Sequence, residues 1–251
     1  MEKLVNLRII SLFAVGFDGV NLKKCKERHI TVANTPNVLT NDVADLAMTL
    51  VLSISRNIYN AQNYILEGKW SNGPMALTKG INGKKVGIVG LGKIGKQFAK
   101  RAESFSMKIF YFGPNKKKSK YQFVSNLKKL ASIVDYLVVT CPGGKKTEKL
   151  ISAKILKSMD KKAYLINISR GSVVDENALI NSLKNKEING AALDVFWNEP
   201  AINPKFKKLP NVILHPHGGS GTIETRTGMA QLSCDNLKSF FKNGKPFHRV
   251  I

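Results

Sequence analysis

The segment Lys85-Val86-Gly87-Ile88-Val89-Gly90-Leu91-Gly92-Lys93-Ile94-Gly95 changes character twice within eleven residues. Its first five form a short apolar run closed by a glycine, the pattern of a buried strand. Gly90, Gly92 and Gly95 then stand at G-x-G-x-x-G spacing, and residues 96–104 carry Phe98, Ala99 and Ala102 at helical intervals. That spacing is weak by itself and gains weight when a strand runs directly into it and a helix leaves it. The first glycine makes the turn, the second lets a pyrophosphate approach the backbone, and the third lets helix and strand pack closely. Gly90, Leu91, Gly92, Lys93, Ile94 and Gly95 are therefore candidate dinucleotide contacts.

Downstream, residues 107–112, 134–140, 163–168, 191–196 and 212–214 read as further strands, which makes six with the first. Helical stretches separate them, one opened by Asp175 as its cap. Strands alternating with helices imply right-handed crossovers, hence an α/β doubly wound parallel sheet of Rossmann type. Upstream the organisation differs. A strand is expected near residues 7–12, and Asn34-Thr35-Pro36-Asn37 is a turn. Asn41-Asp42 caps a helix running to about Ile54, with a possible continuation towards Glu67. A last helix over residues 222–242 is stopped by Asn243-Gly244-Lys245-Pro246. The expected division is a dinucleotide-binding domain over residues 37–220, with residues 1–36 and 221–251 forming part of a second domain.

Composition narrows the class. Of 251 residues, 43% are hydrophobic, which excludes a disordered chain. The longest apolar stretch, residues 43–54, contains Asp45 and falls short of the ~20 residues a membrane helix needs. Asn6 and Arg8 interrupt the apolar start, so no secretory leader is expected. Cys25, Cys141 and Cys234 are far apart and form no C-x-x-C pair, which argues for a reduced cytoplasmic setting and against a metal site. Forty Lys and Arg against seventeen Asp and Glu give a net charge of +23. The basic pairs are scattered rather than gathered with aromatics, so they read as a solvated surface and not as a nucleic-acid face.

The place after the second strand decides which dinucleotide fits. An acidic residue there would hold the adenosine ribose of NAD. Phe112-Gly113-Pro114-Asn115 contains none, and Lys116, Lys117 and Lys118 follow. Gly113, Asn115 and Lys116 thus become candidate contacts for NADP, with NAD still possible. Ligands of open parallel sheets bind beyond the carboxyl ends of the strands. Ile168 closes one strand and Arg170 follows it, Glu199 follows the strand that leads to Asp194, and His217 follows the last strand. These types suit carbonyl reduction. Histidine gives a proton near neutrality, a carboxylate on its other nitrogen fixes the tautomer, and a guanidinium forks a substrate carboxylate.

Asn167-Ile168-Ser169-Arg170-Gly171-Ser172-Val173-Val174-Asp175, Ala192-Leu193-Asp194-Val195-Phe196-Trp197-Asn198-Glu199-Pro200 and His215-Pro216-His217-Gly218-Gly219-Ser220-Gly221-Thr222 resemble the signatures of the D-isomer-specific 2-hydroxyacid dehydrogenases. The resemblance extends over Val15-Gly16-Phe17-Asp18 and Asn34-Thr35-Pro36-Asn37-Val38-Leu39-Thr40, and is nearest to the plant hydroxyphenylpyruvate and glyoxylate/hydroxypyruvate reductase branch, which uses NADPH. It implies reduction of a small 2-oxo acid by a homodimer, with the apolar helix of residues 43–54 as pairing face. It also implies roles: Arg170 binds substrate, Glu199 supports the acid, and His217 donates the proton. Asp194 meets the nicotinamide amide, and the Val15 and Gly16 amides hold the substrate carboxylate. His215 is assigned no proton to transfer. Two departures stand out. The branch has Ser-Arg where this chain has Gly113-Pro114, and its members carry further β-α units before the part that corresponds to Leu4, so the substrate domain is expected to be incomplete. The alternative is a catalytically weak dinucleotide-binding relative that works through protein contacts.

Overall fold

The computed structural model describes residues 3–251, which form two compact units. One comprises residues 43–219, and the other comprises the segments up to Asp42 and from Ser220 onward.

In the larger unit seven parallel strands form one sheet: β3 (Lys85–Val89), β4 (Lys108–Phe112), β5 (Gln122–Phe123), β6 (Tyr136–Val139), β7 (Tyr164–Asn167), β8 (Gly190–Leu193) and β9 (Val212–Leu214). Their order is β5-β4-β3-β6-β7-β8-β9, so the winding reverses between β3 and β6. Strands β6, β7 and β8 are buried along their whole length, as a parallel sheet covered on both faces requires. On one face Val89, Leu137, Leu165 and Leu193 join a core with α5 (Leu127–Ile133), α6 (Ala153–Leu156) and α7 (Glu176–Lys184). On the other lie α2 (Thr40–Arg56) and α4 (Lys93–Ser104). There Ser55 pairs its hydroxyl with that of Tyr136 at 2.8 Å, and Arg101 of α4 forks Asp45 of α2 at 2.6 and 3.0 Å.

The expected strands are present, with one more than the six read from the sequence. The addition, β5, is two residues long and too short to show any periodicity. The α2 helix does not run on towards Glu67. Asn57 takes a left-handed φ of +52° and breaks it, and a separate helix α3 (Ile58–Leu66) follows. The apolar face of α2, expected to be unpartnered, is covered instead: Val43, Ala44, Ala47, Met48, Leu50, Val51 and Ile54 are all buried. Unpartnered apolar surface lies on α3, none of whose residues is buried, and where Ile58, Tyr59, Ile65 and Leu66 are exposed.

In the smaller unit β1 (Ile9–Ser11) pairs in parallel with β2 (Thr31–Ala33) across α1 (Leu22–Glu27). The second strand, Thr31–Ala33, was not read from the sequence. Cys25, Ile30 and Val32 form its core with Leu7, Ile10, Leu12 and Val20. The last helix, α8 (Ile223–Asn243), opens on the Thr222 cap and closes on Gly244 at φ +71°. Asp42 accepts hydrogen bonds from the Thr222 and Thr225 hydroxyls, which fixes the start of that helix.

Candidate active site at the carboxyl edge of the sheet

One row of residues crosses the sheet at its carboxyl edge: Phe112, Val89, Val139, Asn167, Leu193 and Leu214 are mutual register partners. With strands ~4.8 Å apart, the row is about 24 Å long. Every candidate residue of this unit lies just past it, and the reversal of winding falls between Val89 and Val139.

At Val89 the chain enters the glycine turn. Gly90 has φ +103°, and a Cβ there would lie 2.7 Å from the Cys141 Cα. A Cβ on Gly95 would lie 2.4 Å from the Gly90 carbonyl oxygen, so α4 can start only with glycine at that place. The Thr140 hydroxyl donates to that same carbonyl at 2.6 Å and braces the turn from β6. Gly92 is different: a Cβ there would meet nothing within 4 Å. As the N-cap of α4, Gly92 makes no side-chain cap hydrogen bond. Open space before an uncapped helix start fits a pyrophosphate, which takes its hydrogen bonds from backbone amides.

Past Phe112, residues 114–118 are exposed. Tyr111, 1% exposed, reaches out from β4 and bonds both the Lys117 amide, at 2.8 Å, and the Lys117 carbonyl, at 3.2 Å. The lysine loop is therefore pinned at its middle.

At the other end of the row, side chains take over. The Asn167 side chain holds the Ser169 amide at 3.1 Å and the Arg170 carbonyl at 3.0 Å, while the Ser169 hydroxyl donates to the Cys141 carbonyl. These bonds set the loop that carries Arg170, whose guanidinium donates to the Ser169 carbonyl at 2.8 Å. Ile168, also in this loop, is buried. Gly171 lets the loop touch the next one, because a Cβ there would lie 2.0 Å from the Phe196 carbonyl carbon. Burial pushes the neighbouring Cys141 thiol up to about 11, so it stays protonated at neutral pH and inert.

His217 Nδ1 lies 2.5 Å from Glu199 Oε2, and the other Glu199 oxygen accepts from the Phe196 amide at 2.7 Å. The imidazole is 48% exposed and the carboxylate 31%, so this pair faces solvent. His217 itself holds a left-handed φ of +49°, uncommon for a residue other than glycine. Asp194 is 2% exposed. It accepts from His215 Nδ1 at 2.6 Å, from the Gly218 amide at 2.7 Å and from the Gly219 amide at 3.1 Å. Thus Glu199 and His217 are brought together as expected, while Asp194 is occupied largely by its own protein. Val15 and Gly16 follow β1 in the smaller unit, where the Asn34 side chain donates to the Val15 carbonyl at 2.9 Å.

Residues 48–219 match the family described as D-isomer specific 2-hydroxyacid dehydrogenase, NAD binding domain. The chain belongs to the D-isomer-specific 2-hydroxyacid dehydrogenases. Over 247 residues it is 45% identical to the hydroxyphenylpyruvate reductase of Plectranthus scutellarioides, covering 98% of this chain and 79% of that one. It is 46% identical to glyoxylate/hydroxypyruvate reductase A of Arabidopsis thaliana, over 96% of this chain and 77% of the relative. A crystal structure of the NADPH-dependent glyoxylate/hydroxypyruvate reductase of Sinorhizobium meliloti, in complex with NADP and malonate, superposes with a TM-score of 0.95 at 39% identity, over 98% of this chain and 78% of that one. Family membership makes this dehydrogenase an NAD(P)-linked oxidoreductase.

Sequence reasoning missed Thr140, Ser169, Gly171 and Tyr111, all of which hold site loops in place. Only Gly171 and Ser169 lay inside a quoted signature, and nothing in the spacing of Thr140 or Tyr111 announces a brace. Among the described residues no group of three His, Cys, Asp or Glu is arranged to hold a metal ion, and no helix is long and apolar enough to cross a membrane.

Proposed function

We propose that this dehydrogenase reduces a small 2-oxo acid, of the hydroxypyruvate, glyoxylate or hydroxyphenylpyruvate kind, to the D-2-hydroxy acid with NADPH. The observation that carries the reading is the Glu199–His217 pair, 2.5 Å apart at the carboxyl end of the sheet. The reduced nicotinamide supplies the hydride when bound. His217 gives the proton on Nε2 to the keto oxygen, while Nδ1 stays on Glu199, which steadies the imidazolium before transfer. Arg170 forks the substrate carboxylate and polarises the carbonyl. On the family resemblance, the Val15 and Gly16 amides contribute to the same carboxylate.

The dinucleotide is assigned to residues 43–219, within the span 37–220 read from the sequence, and the substrate domain to the remainder. Residues 90–95 take the pyrophosphate, Gly113, Asn115 and Lys116 the adenosine ribose and its 2′-phosphate, and Ile168 and Asp194 the nicotinamide side. No disulfide joins the three cysteines, which supports a cytoplasmic setting. The exposed apolar residues of α3 support a homodimer that pairs through that helix, in place of the α2 face. Light scattering at micromolar concentration should give twice the chain mass, and a monomer there would end the dimer assignment.

The function is tested by NADPH oxidation with each of the three acids on the purified protein. Turnover with at least one is expected. NADPH binding without turnover on any would replace the reductase by a dinucleotide-binding protein acting through protein contacts.

A further inference from the structure

The turn that carries His217 is wrapped around a second histidine–carboxylate pair. Leu193 and Leu214 are register partners, so Asp194 and His215, the next residue of each strand, stand side by side. The His215 amide extends the ladder to the Leu193 carbonyl at 2.8 Å, and its ring reaches Asp194 Oδ1 at 2.6 Å. The chain then bends back, with the His217 amide on the His215 carbonyl at 3.0 Å. Gly218 and Gly219 return their amides to the same Asp194 carboxylate, at 2.7 and 3.1 Å. The His215 ring lies directly under this bend: a Cβ on Gly218 would stand 2.4 Å from its Cε1. His217 sits at the apex with φ +49°, a backbone state that persists only where its surroundings over-determine it.

A carboxylate at 2% exposure needs its lone pairs filled, and two amides leave it short of a donor. His215 supplies that donor and, by its bulk, the floor of the bend. We propose that His215 is a positioning residue: it locks Asp194, Asp194 locks the Gly218 and Gly219 amides, and these hold the His217 ring against Glu199. His215 transfers no proton itself. The inference rests on the reading of His217 as the acid.

The test compares His215→Ala, His215→Asn and His215→Gln with His217→Ala, scoring kcat, KM and NADPH affinity, with circular dichroism as a check on folding. Loosening the acid by a fraction of an ångström to an ångström should lower kcat of His215→Ala about 10- to 100-fold, with NADPH affinity little changed. Asn places an N–H where the ring has Nδ1 and should restore most of the loss, whereas Gln places it where the ring has Nε2 and should not. The His215→Ala loss should also shrink in a Glu199→Gln background, since both changes act on one pair. Should the alanine variant fail to fold, the Asn and Gln variants carry the comparison, and equal kcat in those two overturns the proposal. So does a full kcat in His215→Ala beside an inactive His217→Ala, or a loss confined to NADPH affinity. Undiminished turnover in His217→Ala instead removes the acid assignment, and the positioning role with it.

Discussion

The β3 end of the carboxyl-edge row presents a ligand with backbone, and the β9 end presents it with charged side chains. Around Gly90 and Gly95 the shape depends on the absence of Cβ atoms, since one added there would stand 2.7 and 2.4 Å from its neighbours, while Gly92 faces open space. Around Asp194, Glu199, His215 and His217 the shape depends on donors and acceptors reaching across neighbouring strands at 2.5 to 2.7 Å. The first kind of site binds by leaving room and offering amides to a charge that does not change during reaction. The second kind must hold a proton at one atom and release it, which backbone cannot do. On the proposed assignment, the two halves of the reaction, holding the dinucleotide and protonating the substrate, would be served by different physics on one sheet edge.

That difference predicts separable failures. His217→Ala should lower kcat by ~10²–10⁴-fold, the usual worth of a placed general acid, and leave NADPH affinity near that of the parent protein. Gly92→Ala should do the opposite. Its Cβ enters open space, so stability should change by no more than about 0.5 kcal/mol, while NADPH affinity falls because the methyl stands in the pyrophosphate path. Steady-state kinetics and fluorescence titration on both variants separate the two. Loss of dinucleotide affinity in His217→Ala, or normal affinity in Gly92→Ala, would break the contrast.

A second comparison stays within the glycine turn. Gly95→Ala adds a Cβ 2.4 Å from the Gly90 carbonyl, and relief requires α4 to move off β3. Overpacking of this kind costs about 1–3 kcal/mol, so urea unfolding should show a lowered midpoint in Gly95→Ala and an unchanged one in Gly92→Ala. Equal midpoints would mean the helix yields more easily than the packing implies.

The same contrast explains what could be seen in the chain before its structure. The glycine turn is local, and backbone requirements leave their mark at fixed offsets, so residues 90–95 were readable together with the strand before them and the helix after. Arg170, Glu199 and His217 were readable as types placed after strands, because strand ends are local too. Partnerships were not. Asp194 was assigned outward to the nicotinamide, yet its first partners are His215, Gly218 and Gly219, which lie on the next strand's exit and meet it only through the β8–β9 register. Likewise the apolar stripe of α2 was legible, but not its burial against the sheet, and the short strands β2 and β5 owe their existence to neighbours rather than to pattern. Arg56-Asn57, a basic last turn followed by a residue that tolerates the left-handed state, was a stop signal that the sequence reading passed over between α2 and α3.

The lysine loop after β4 combines both kinds of site and should show the smallest effect. Residues 116–118 bring ammonium groups beside the expected 2′-phosphate, but they are exposed, and charges facing water are screened. Replacing Lys116, Lys117 and Lys118 together by Ser should therefore reduce the preference for NADPH over NADH only severalfold. Raising the salt from 0.1 to 1 M shortens the screening length from about 10 Å to about 3 Å and should have a similar effect on the unaltered protein. NADH affinity should respond little to either change, since it lacks the phosphate. Tyr111→Phe should give a fainter version of the same result, because the hydroxyl that pins the loop at Lys117 is lost while every charge is kept. A preference for NADPH that ignores both salt and the lysines would place recognition in the Gly113 to Asn115 backbone, and the β4 loop would then belong with the glycine turn.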